Sequence, residues 1–73
     1  MRRYIDSIAR ETVVVHHQDG TSIRGVLMAV HRDCIVLVHA SVLGAEANTP
    51  IDGEAVIERP RVSWLQRLPV TEA

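Results

Sequence analysis

Polar and apolar positions alternate most clearly between Asp19 and Ala40, in DGTSIRGVLMAVHRDCIVLVHA. Ile23, Gly25 and Leu27 keep a period of two, and the pattern loosens towards Val30. Asp19-Gly20 supplies the positive φ that a tight hairpin turn requires. A glycine inside a strand pattern marks a bulge or sharp bend, which Gly25 is expected to provide. His31-Arg32-Asp33 is a polar break, and Cys34-Ile35-Val36-Leu37-Val38 reads as a β-branched strand. Upstream, Thr12–Gln18 is a strand with Val13, Val14 and Val15 apolar on both faces, so both faces need cover. In residues 2–10, Ile8 follows Tyr4 and Ile5 at helical spacing, which predicts a short amphipathic helix. Such a helix is too short to persist alone and must dock on the sheet.

Ser41–Gly53 is predicted to be irregular, with Gly44, Asn48-Thr49-Pro50 and Asp52-Gly53 as turn formers. A fourth strand is expected over Glu54–Glu58 and a fifth over Val62–Leu68, broken by Arg59-Pro60-Arg61. Trp64 is expected to share a face with Val62 and Leu68, and Leu65 to take the other. Residues 69–73 read as a short tail. The whole of 1–73 is therefore expected to be one small all-β domain: helix 2–10, then a strongly bent five-stranded barrel over 12–68.

Size changes the picture. A chain of 73 residues buries only about 60% of its unfolded surface. Domains this small lean on disulfides, a metal or oligomerisation. One cysteine forms no internal bridge, and Cys34 is expected to act as a small buried hydrophobe. No Cys or His spacing points to zinc. His16 and His17 are adjacent on a strand and point to opposite faces; His31 and His39 flank the third strand. No metal or other cofactor is implied. Assembly is the remedy left.

Eight Lys+Arg balance nine Asp+Glu for a net charge of −1, and every basic residue is Arg. Dedicated nucleic-acid binders carry a basic excess, so the balance disfavours that class. Arg2, Arg3 and Arg10 near one end, with Arg59 and Arg61 towards the other, would suit phosphates or ion-paired protein contacts equally. No apolar run has transmembrane length, and no signal peptide is evident, which points to an intracellular protein or one packaged in a virion. His31-Arg32-Asp33 spells a kinase triplet, but 73 residues without a Gly-rich loop cannot make a kinase. Asp6, Asp19, Asp33 and Asp52 sit at turn or helix positions that explain them without catalysis. No catalytic residue, enzyme or small-molecule substrate is expected.

Asp19-Gly20-x-x-Ile23-x-Gly25-x-Leu27-x-x-Val30, a polar turn with Asp33, and Ile35-Val36-Leu37 together resemble the first signature of the Sm and Sm-like family. Parts of that signature also occur in SH3-like barrels. Val56-Ile57-Glu58-Arg59-x-x-Val62-x-Trp64-Leu65 resembles the second signature, and the order of elements is similar over nearly the whole chain. The resemblance implies fold-critical roles for Gly20, Gly25 and Asp33. It also implies a ring in which the fourth strand of one copy pairs with the fifth of the next, through Val56, Ile57, Glu58, Arg59, Val62, Trp64 and Leu65. Members that bind uridine-rich RNA use an Asn in strand three and an Arg-Gly pair. Those positions fall on Ile35 or Val36, and on Glu58 and Arg59. A branched aliphatic cannot hydrogen-bond a base edge, and Glu58 would repel phosphate.

The expectation is thus a structural subunit that oligomerises or docks on other structural proteins. A charge-balanced, all-Arg module of this size would suit a bacteriophage virion, as a head-accessory or connector protein. An RNA-binding Sm-like protein is the alternative.

Overall fold

The computed structural model describes residues 10–69. The expected helix, apart from Arg10, and residues 70–73 of the tail lie outside the described residues. Six strands follow in order: β1 (Thr12–His17), β2 (Ser22–Val30), β3 (Cys34–Val42), β4 (Thr49–Pro50), β5 (Ala55–Glu58) and β6 (Val62–Arg67). All pairings are antiparallel. The path runs β4-β3-β2-β1-β6, and β5 joins β3 beside β4. β5 lies against Cys34–Leu37, whereas β4 lies against Ser41 and Val42.

The β1–β2 hairpin closes where the Asp19-Gly20 turn is expected. Gly20 has φ +92°, and His17 N–H donates to Thr21 O at 2.8 Å. The Asp19 carboxylate accepts the Thr21 amide at 2.8 Å. Thr21 N–H holds the Asp19 carboxyl below its ordinary value of about 3.8, with a Thr21 side-chain bond, His17 and Arg61 adding to the effect.

Two bulges bend the β2–β3 ribbon. Arg24 pairs with Ser41 and Val26 with Val38, so Gly25 alone faces His39 and Ala40. Leu27 then pairs with Leu37 and Ala29 with Val36, which leaves Met28 as an extra residue. The first bulge puts His39 in the left-handed region at φ +51°. A β-carbon on Gly25 would lie 3.1 Å from both the Ala40 and Leu37 β-carbons. These contacts are tighter than ordinary packing, so the close crossing uses the missing side chain.

Val13, Val15, Leu27, Ile35, Leu37, Ala40, Ala55 and Ile57 form the core, flanked by Ile23, Val30, Ile51, Val62 and Leu65. Val14 is 5% exposed between two valines at 0%, so β1 is buried on both faces, as its sequence predicts.

Three expectations need correction. Six strands replace five, because β3 runs on to Val42 and recruits Thr49-Pro50 from the expected loop. Turn-forming composition hid a two-residue pairing that only β3's length makes available. The break at Arg59–Arg61 falls where it is expected and takes the form of a 3-10 turn with Pro60 near its start, where a missing N–H costs nothing. Cys34, the first residue of β3, is half-buried rather than a core residue. Finally, Val62 and Leu65 share the core side while Trp64 points outward. The register explains this last change. His16 pairs with Trp64 but His17 pairs with Val62, so Ser63 is an inserted residue that reverses the phase.

Gly25→Val is expected to destabilise the fold by about 1–3 kcal/mol, from crowding at Ala40 and Leu37. Chemical denaturation checks this, with an unchanged midpoint counting against the close crossing. At the hairpin, the lowered Asp19 carboxyl stabilises the fold above the unfolded-state value near 3.8 and ceases to do so as pH falls through the lower folded value. The acid side of the stability–pH curve should therefore be shallower in Asp19→Ala than in wild type.

Candidate functional site

Both ends of the sheet are open among the described residues. β5 pairs only with β3 and β6 only with β1, so each presents a second edge with no strand on it. The 3-10 turn carries the chain from one open end to the other. It is anchored on both sides: Arg59 N–H donates to Asp33 O at 2.9 Å and Gln18 N–H to Arg61 O at 3.1 Å. Arg59 Nη1 also donates to His31 O at 3.1 Å, and Gln18 Nε2 to Pro60 O at 3.2 Å. Arg61 pairs with Glu58 at 3.0 Å in full solvent, a contact worth little to stability.

The residues expected at an interface divide into two sets. Val56 and Trp64 are 62% and 55% exposed, large values for an apolar side chain. Ile57 is buried in the core, with Val62 and Leu65 half-buried against it. A cavity of about 160 Å³ opens at the seam between the two ends, lined by Ile35, Arg59, Val62 and Leu65. The inward set thus borders the seam, while the outward set flanks it.

Trp64 does not stand alone. His16 stacks on it with ring centres 4.0 Å apart and planes 9° from parallel. His16 Nε2 lies 3.1 Å from Gln66 Oε1, and its Nδ1 lies 2.9 Å from Ser22 Oγ. A neutral ring protonated on Nε2 satisfies both contacts. The inserted Ser63 places Trp64 opposite His16, and no periodicity in the sequence announces that pairing. His17 is half-buried, with Nδ1 3.3 Å from Thr21 O.

The expected arginines are dispersed. Arg2 and Arg3 lie outside the described residues. Arg10 is exposed beside β2, where its backbone N–H bonds Leu27 O. Arg59 and Arg61 are engaged at the 3-10 turn as described. Asp33 contributes through its carbonyl, and its carboxylate makes no hydrogen bond or ion pair among the described residues.

No family model matches the chain, and no curated protein does. Solved structures do. The P. aerophilum SmAP1 heptamer superposes with a TM-score of 0.87 at 18% identity, covering 96% of this chain and 95% of that one. The Pyrococcus abyssii Sm protein in complex with a uridine heptamer gives 0.82 at 20% identity, over 92% and 96% of the two chains. A chain of the NatC complex bound to CoA gives 0.76 at 17% identity, over 86% and 82%.

The fold is Sm-like.

Within this Sm-like fold, the residues on which the sequence resemblance is expected to set the uridine contacts can be located. Ile35 and Val36 are both buried, at 3% and 8% exposure, opposite Ile57 and Val56. Neither offers a polar atom beyond the backbone. Glu58, opposite Cys34, is exposed and faces Arg61, while Arg59 spends one guanidinium nitrogen on the β2–β3 turn. The fold therefore brings Ile35, Val36, Glu58 and Arg59 together at one end. Arg59→Ala should lower stability by about 1 kcal/mol, from the lost bond to His31 O. A chemical denaturation curve reads this directly, and a variant as stable as wild type would show that the contact holds nothing.

Proposed function

We propose that the chain is a non-enzymatic structural subunit that assembles through its β5 and β6 edges, as a ring or as part of a larger particle. The observation that carries this reading is the pair of open edges bordering one seam, with Val56 and Trp64 exposed beside it. An unpaired apolar edge is an aggregation hazard that a second strand removes. If β5 of one copy meets β6 of the next, the contact is heterologous and closes when its rotation fits. The similarity to the SmAP1 heptamer supports a ring. The similarity to a chain of the NatC complex supports assembly with a different protein as the other form of this reading. The virion setting extends this reading and rests on charge balance and arginine usage only.

Light scattering at micromolar concentration tests the assembly. The expected result is a mass several times the 8.1 kDa of one chain. Val56→Lys with Trp64→Lys should return a folded monomer, because like charges would face each other across the new ladder. A folded wild-type monomer would overturn self-assembly through these edges and leave docking on a different protein.

RNA binding is the second reading, favoured by similarity to an Sm protein in complex with a uridine heptamer. The aliphatic pair Ile35 and Val36 and the carboxylate of Glu58 speak against a base pocket at the positions that the sequence resemblance implies. Glu58→Arg with Arg59→Gly should raise affinity for oligouridylate from a weak baseline in a filter-binding titration. Tight, salt-sensitive binding by wild type would promote this reading above the first.

A further inference from the structure

The bulge that bends the sheet also assembles a group of donors away from the β5 and β6 edges. Arg24 and Ser41 are paired neighbours at its lower side, and His39 is its inserted residue. Thr12 at the start of β1 and Asn48 just before β4 complete a groove of about 320 Å³, floored in part by Gly25. Among the described residues, no carboxylate lines this groove. Glu11, next to Thr12 in sequence, is occupied by Arg67 at 2.7 Å.

The state of each side chain gives the groove its sign. Arg59 and Arg61 have partners within the fold. The Arg24 side chain makes no ion pair or hydrogen bond among the described residues. The amide oxygen of Asn48 accepts Gly44 N–H at 3.3 Å, which leaves its NH₂ group as the free end. Thr12 and Ser41 add two hydroxyls that can donate. His39 holds φ +51°, in the left-handed region that few non-glycine residues adopt. Local strain of this kind is retained where the surrounding structure over-determines it, and bulges re-aim side chains. His39 also borders a second groove, with Asp52 and Glu54, so Arg24 supplies the permanent charge.

We propose that this groove binds a phosphate group, with the Arg24 guanidinium as the charged contact and Thr12, Ser41, Asn48 and His39 donating to the remaining oxygens. Donors come from four separate stretches of chain, which suits a tetrahedral anion with several acceptors better than a planar carboxylate. Guanidinium–phosphate pairing is strong and directional. The groove is larger than one phosphate and leaves room for the ester it carries. The ligand is therefore a phosphate monoester or the phosphodiester of a single strand, and the site is independent of how the β5 and β6 edges are covered.

Calorimetric titration of the wild-type protein tests this, at constant ionic strength, with inorganic phosphate, uridine 5′-monophosphate and a short oligouridylate. Saturable binding of at least one probe is expected. Arg24→Gln should weaken it at least tenfold, and Ser41→Ala by a smaller factor. Arg32→Gln, which removes an exposed arginine on the β2–β3 turn, should leave phosphate and monophosphate binding unchanged. Binding of all three probes would identify a general phosphate site; binding of the oligomer alone would identify a backbone phosphodiester. Absence of binding by every probe would overturn the proposal. So would equal losses in Arg24→Gln and Arg32→Gln, which would indicate diffuse charge attraction. Circular dichroism confirms that each variant is folded, and both arginines are exposed.

Discussion

The structure depends on one close crossing, where β2 passes over β3 at Gly25. Two residues of β3 face this one residue of β2, and nothing larger than hydrogen fits between Gly25 and the Ala40 and Leu37 side chains without displacement. A flat β2–β3 ribbon would bury one face and leave the other to water. The crossing bends both strands, so that Leu27, Leu37 and Ala40 converge with Val13 and Val15 on a single interior. Everything further along the chain is placed relative to that bend. β5 and β4 share β3 because it extends on both sides of the bulge, and β1 carries β6 on the edge that β2 leaves free.

The same bend explains why the sheet does not close on itself. β5 and β6 are consecutive, yet they end on opposite margins of the sheet. Only the three residues Arg59–Arg61 separate them, a short span that must hand the chain from the β3 margin to the β1 margin. The 3-10 turn is fixed in that position through Arg59, which ties it to the β2–β3 turn, and Gln18, which ties it to the β1–β2 turn. The turn is therefore held by backbone groups from both hairpins, while the strands it joins are left with free edges. A sheet with two margins unpaired among the described residues is poorly suited to solitude, whatever eventually covers them.

Much of this was legible in the sequence. Asp19-Gly20 announced the first hairpin, Val13–Val15 announced a strand covered on both faces, and Gly25 announced the bend. What escaped was phase. Period-two reasoning assigns faces correctly only while pairing is continuous, and each inserted residue reverses the assignment beyond it. Ser63 on β6 moved Trp64 outward and onto His16; Met28 and His39 did the same on the central ribbon. Insertions of this kind have no composition signal unless glycine marks them, and glycine marked only one. The extent of β3 was missed for the related reason that Ser41 and Val42 precede a run of turn formers.

The candidate sites follow the same division. The open edges could be anticipated, because they are made of strands whose existence is written in their apolar residues. The donors around Arg24 could not, since Thr12, Arg24, His39, Ser41 and Asn48 have no shared spacing and meet only because the bulge turns β3 across β2. At the end of this Sm-like fold that carries Ile35, Val36 and Glu58, the side chains are aliphatic and acidic. Arg24, with no partner among the described residues, shows that the charge balance of the whole chain does not describe each of its surfaces. A net charge near zero constrains long-range attraction to a polyanion, but it does not prevent a local cluster of donors from holding a single phosphate. The two properties act over different distances, the first screened beyond about 10 Å and the second set by direct hydrogen bonds.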